Sequence, residues 1–139
     1  MDLQTAIDWA GARSHAVFIT LRKDGRAQSS DITYDLKHGL FRISLTTRTA
    51  KAHNMRRDPR VVLHLSDRDA WSYLSFDGTV ELTDPTTDPG DATSDALVDY
   101  FERVAGKSHP DWHEYRQAMI DERRLLALFT PASVVGQIR

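Results

Sequence analysis

The residues best placed to do chemistry lie between two strand-like runs, in SLTTRTAKAHNMRRDPRVVLHL, residues 44–65. Thr46 and Thr47 end an apolar alternation and precede a predicted helix over 48–57, which Asp58-Pro59 stops. A helix start presents free backbone N–H groups that attract anions, and the hydroxyls add donors. Arg48 and Lys51, three apart, share one predicted helix face, and Asn54 continues the row. Amides, hydroxyls and two cations together make chemical sense as a phosphate cradle. A second reading is open on the same residues. Arg56 and Arg57 fall in the last turn, where positive charge suits the helix dipole, and the segment is then a solvated basic face.

Other reactive side chains read differently. His109 and His113 have i,i+4 spacing beside Glu114, but H-P-D-W-H-E offers no further metal ligands, so they read as surface histidines. His53 is open to solvent or touches a ligand tail, and His64 is a packed or interface residue. Trp112, Tyr115 and Met119 form one helical stripe, either core or pocket wall. Tyr34 and Tyr73 are strand tyrosines, structural or proton-donating. Asp121 to Arg124 reads as a solvated helix end. No side chain is assigned as a catalytic acid and no metal site is expected.

The elements that must position these residues follow from periodicity. A short helix is expected over 2–11, then a strand over 15–22 and a hairpin turn at Lys23-Asp24-Gly25-Arg26. A return strand covers 27–36, and after the turn at 37–39 a strand over 40–46 alternates polar Arg42 and Ser44 against Phe41, Ile43 and Leu45. After the basic helix come strands at 60–66 and 71–83, with Gly78 marking a bulge or bend. Helices are expected at 93–105 and near 110–121, then a late strand over 124–129 that 133–138 extends or follows past Pro131. This order predicts a mainly β protein: an antiparallel meander closing into a small barrel, with peripheral helices outside.

Bulk composition narrows the function classes. The 139 residues fit a single domain, and 40% hydrophobic with 27% charged residues is a globular composition. A net charge of -2 disfavours general nucleic-acid binding. The absence of cysteine excludes disulfides, thiol nucleophiles and cysteine zinc sites. No apolar run reaches membrane-spanning length and the first residues do not read as a signal peptide, so the expected location is the cytoplasm. A deep pocket is hard to build in so small a domain, and sharing one between two copies is a way around that limit.

The ordered set DGRAQSSDITY, LFRISLTTRTAKAHNMRRDPRVVLHL, WSYLSFDGTVEL and HPDWHEYRQAMIDERRLLALFTPASVVG resembles the flavin/deazaflavin oxidoreductase superfamily. It is most similar to the actinobacterial, coenzyme F420-dependent branch of the pyridoxamine-phosphate-oxidase-like class. The most specific piece is Lys51, Asn54, Arg57, Asp58, Pro59 and Arg60 after a strand. The resemblance implies a homodimeric split β-barrel with two cofactor sites at the interface. It implies that Lys51 and Asn54 hold the cofactor phosphate, with Ser44 and Thr46 near the phosphate or ribityl chain. Gln28 and Ser30 would meet the ring edge, and Trp71 would approach from the partner subunit. Thr49 stands where relatives often carry an arginine, and Arg48 lies one residue earlier; Asp31 stands where an amide is common. The implied reaction passes hydride from reduced F420 to an electron-poor double bond or quinone-type acceptor. FMN is the alternative cofactor, and a non-catalytic ligand-binding dimer the alternative role.

Overall fold

The computed structural model describes residues 1–139. In chain order its elements are α1 (Leu3–Gly11), β1 (His15–Leu21), β2 (Ala27–Thr33), β3 (Asp35–Lys37), β4 (Leu40–Thr46), α2 (Ala50–Arg57), β5 (Arg60–Asp67), β6 (Ser72–Leu82), α3 (Ala92–Ala105), α4 (Trp112–Asp121) and β7 (Arg124–Gln137). The strands form one seven-stranded sheet in the order β2-β1-β5-β6-β7-β4-β3, antiparallel throughout. The expected meander holds for the local hairpins. It gives way at β1–β5 and β4–β7, which join segments far apart in the chain.

The single return strand expected over 27–36 is two strands, broken at Tyr34. β2 pairs with β1 at one sheet edge and β3 pairs with β4 at the other. Because one residue separates them, the two edges are drawn together and the sheet curls into a half-barrel. Tyr34 makes the corner: its ring is 1% exposed, and its hydroxyl donates to the Ala10 carbonyl at 2.6 Å. Burial pushes the phenol far above its ordinary range. Tyr34 is therefore a core residue and not a proton donor.

The concave face holds the main core, where Phe41 contacts Tyr34, Phe76 and Phe129 at centroid distances of 5.3, 5.3 and 5.9 Å. Such edge-on and tilted pairs are favoured by the ring quadrupole. Ala6 and Ala10 of α1 and Ala52 and Met55 of α2 belong to the same core, so these helices complete the interior and do not lie outside it. Only α3 and α4 are peripheral. They cover the convex side of β4 and β7 through a second cluster of Leu97, Tyr100 and Leu126, with Tyr115 and Met119 packed against it. No helix is long and apolar enough to cross a membrane.

β7 runs unbroken through Pro131, because β4 stops pairing at Phe129 and the missing N–H falls where the ladder on that side has ended. Opposite Pro131 the register shifts at Asp77/Gly78, the expected bulge. A Cβ on Gly78 would lie 2.1 Å from the Thr130 carbonyl oxygen, so only glycine fits. The convex face of β1, β5, β6 and the C-terminal part of β7 carries no helix. There Tyr73 and Val135 are 43% and 64% exposed, in the same sheet face as Val17 and His64.

Candidate functional site at the barrel seam

β3 pairs with β4 only as far as Arg42, so Ser44 and Thr46 have no strand partner on that side. β2 likewise pairs only with β1. Between these two free edges lies a cavity of about 360 Å³. Asp31, Ile32 and Thr33 of β2, Ser44 of β4, Lys51 of α2 and Arg124 of β7 line it. Tyr100, Phe101, Tyr115 and Met119 of the outer helices close it on one side. The Tyr100 hydroxyl clasps the seam: it donates to the Thr33 carbonyl at 3.0 Å and accepts from the Ser44 backbone N–H. Burial raises its pKa, which keeps it a neutral donor.

Lys51 stands in the first turn of α2, whose N-cap is Thr49; the Thr49 hydroxyl accepts the Ala52 N–H at 3.3 Å. The amides of Ala50 and Lys51 have no acceptor within the helix. Burial first, and the nearby Arg124 guanidinium second, hold the Lys51 ammonium below the usual lysine range. No carboxylate acts on Lys51 to offset either effect. Arg124 faces Thr46 across the β4–β7 ladder and turns Nη1 to Ser44 Oγ at 3.4 Å. Its Nε and Nη2 are held by Glu122 Oε1 at 3.2 and 3.1 Å. Two neighbouring cations and a hydroxyl are the donor types that an oxyanion takes.

Arg124 is the residue that linear reading missed, because it sits in a charge run that looked like a helix end. Its only sequence signal is the two-residue spacing to Leu126 and Leu128, which puts it on the face that packs beneath α3 and α4. Arg48 is placed differently from expectation. The helix begins at Ala50, so Arg48 precedes the N-cap and shares no helix face with Lys51. It lines a separate hollow with Thr46, Asp121, Glu122 and Arg123.

Asn54 is 6% exposed and its amide is fully engaged. Nδ2 donates to Thr20 Oγ1 at 3.1 Å and to Gln28 Oε1 at 2.8 Å, while Oδ1 accepts from Arg57 at 2.9 Å. Asn54 thus rivets α2 to the β1–β2 hairpin one turn beyond Lys51, and Gln28 is its anchor. Ser30 follows Gln28 on the same strand face, opposite Phe18 in β1. Trp71 lies elsewhere, at the β5–β6 turn, 76% exposed and with φ of 52°. A bulky residue in that region is strained. It borders a second, larger cleft with His64, Arg68 and Tyr73, not the Lys51 cavity. His109 is not a free surface residue: its ring packs among Phe101, Trp112 and Tyr115 at 5.2 to 5.8 Å.

The antiparallel sheet curled into a half-barrel, open along the seam between β2 and β4, is a split β-barrel. A family model described as "Pyridoxamine 5'-phosphate oxidase" matches residues 9–136, and the chain belongs to that family. Solved structures share the fold. A conserved hypothetical protein from Mycobacterium tuberculosis is 21% identical, with a TM-score of 0.78 over 99% of this chain and 85% of that one. A protein titled F420 reductase is 22% identical, with a TM-score of 0.63 over 88% and 89%. The heme storage protein HutZ from Vibrio cholerae is 14% identical, with a TM-score of 0.67 over 99% and 95%.

Proposed function

We propose that this chain is a coenzyme F420-dependent oxidoreductase acting as a homodimer on a small-molecule acceptor. The observation that carries the reading is the Lys51–Arg124 pair at the seam, two cations brought together with a hydroxyl and no carboxylate on the lysine. Burying like charges side by side costs stability, and a ligand oxyanion would relieve that cost. The fold shared with an F420 reductase supports the same reading.

In this reading Lys51, Arg124 and Ser44 take the cofactor phosphate, and Thr46 with Arg48 borders its approach. Asn54 acts through Gln28 and α2, fixing where Lys51 stands. Ser30 and Gln28 lie along the strand that meets the ring edge, and Phe101, Tyr115 and Met119 give the cavity an apolar wall. Trp71 of the partner subunit completes the site, which accounts for a strained, exposed indole beside an uncovered apolar sheet face. The bound deazaflavin would supply hydride chemistry to an electron-poor C=C or quinone-type acceptor. The protein's own share is proximity and orientation, which need no catalytic acid.

Side-by-side fluorescence titration of the purified protein with F420 and FMN tests the reading. Tight F420 binding with acceptor-dependent oxidation of reduced F420 supports it. Preference for FMN transfers the role to a flavoprotein of the same fold, and binding of neither overturns it.

A further inference from the structure

The oxyanion site carries a built-in counter-charge. Glu122 holds two of the Arg124 N–H groups and leaves Nη1 to face Ser44. Asp31 lines the same cavity. Arg124 is therefore compensated by Glu122, while Asp31 borders the cavity without pairing with Lys51. The cavity opens to solvent and the Glu122 carboxylate is about half exposed, so its charge acts on a ligand through a partly screened field.

We propose that Glu122 makes this site selective for a singly charged phosphodiester over a doubly charged phosphomonoester. The proposal rests on the phosphate-site reading above and deepens it. F420 carries its phosphate as a diester, with one negative charge. FMN carries a monoester, which is close to a dianion above pH 7. Both anions meet Lys51 and Arg124 in the same way. Only the dianion brings an additional charge into the field of Glu122. Glu122 also positions Arg124, so its removal by alanine would confuse orientation with charge. The glutamine variant keeps an acceptor oxygen for the guanidinium while deleting the charge.

The test compares FMN with the methyl ester of its phosphate, which keeps the ring and alters only the charge. Dissociation constants are read by flavin fluorescence at pH 8 in low salt, with F420 titrated in parallel. In Glu122→Gln, affinity for FMN is expected to rise about fivefold relative to the methyl ester, the size of one charge interaction at about 7 Å in a partly screened site. Glu122→Asp should keep the wild-type ratio within about twofold. Asp31→Asn should move the ratio in the same direction by less, and serves if the glutamine variant does not fold. An unchanged ratio in every folded variant overturns the proposal while leaving F420 binding intact. Failure of the wild type to bind any of the three ligands overturns both the proposal and the phosphate-site reading.

Discussion

Two cation groups sit on the convex side of β4, two residues apart in the strand, and the protein treats them in opposite ways. Arg42 is 7% exposed and is gripped by Asp35 through Nε at 2.8 Å and Nη2 at 2.5 Å, with Asp99 at 2.9 Å. Burial opposes its charge, but the two carboxylates outweigh burial and hold the guanidinium above its ordinary range. Lys37 joins Asp99 at 2.6 Å, and Arg103 lies 3.2 Å from Asp35. Near Ser44, Lys51 has a guanidinium for a neighbour and no carboxylate at all. In the first group every cation touches a carboxylate, and the group belongs to the fold. In the second, Arg124 has Glu122 but Lys51 has no carboxylate partner, which marks the lysine as a candidate anion ligand.

The sharpest way to break that contrast is Arg42→Ala. It leaves buried Asp35 with only the half-exposed Arg103 and is expected to cost about 3 kcal/mol in urea unfolding. Lys51→Ala should behave in the opposite manner, with unfolding stability within about 0.5 kcal/mol of wild type. Its F420 affinity should fall by about 1.5–3 kcal/mol, the scale of a charge-assisted contact. If Lys51→Ala instead destabilised the fold as much as Arg42→Ala, the two groups would not differ in kind. Asn54→Ala lies between them. It should lose about 1–2 kcal/mol of stability through the unpaired Thr20 and Gln28 groups, with a secondary loss of affinity.

The same division has a pH signature. The hydrogen bond from Lys37, ahead of that from Arg42, holds the Asp99 carboxyl below its ordinary value. A depressed carboxyl contributes stability above its unfolded value near pH 4 and loses it as pH falls through the folded pKa. Asp99→Asn should therefore flatten the acid limb of a melting-temperature profile. For Lys51 the sign is reversed. Its folded pKa is depressed, so without an anion the protein gains stability as pH rises through that value. A bound oxyanion favours the ammonium, so ligand affinity should fall over the same range, at lower pH than for a free lysine; an NMR titration of the lysine Nζ would follow it. The smallest effect is expected from Arg48→Ala. Its separate, carboxylate-lined hollow predicts an affinity loss below about 0.5 kcal/mol, checked in the same fluorescence titration.

How much of this was legible beforehand depends on the range of the interaction. Alternation placed β4, β5 and β6 to within a residue or two, and Gly78 announced its own bulge, because strand patterning and a glycine that must lack a Cβ are local properties. Lys51 was singled out by its place after a strand end and hydroxyls, also local. Arg124 was not, since its role is conferred by Ser44, eighty positions away along the chain. Asn54 has a residue type that suits a phosphate, and the partners the fold gives its amide are Thr20, Gln28 and Arg57. Arg48 was displaced by a two-residue error in a helix start, which a threonine N-cap decided.

The amino-acid order alone determined the antiparallel, strand-rich architecture and the basic segment at its centre, because periodicity and capping act over a few residues. Only the tertiary structure decided which cations are satisfied and which are not. That outcome depends on which strand edges the Tyr34 corner draws together, and electrostatic balance is a property of neighbours in space.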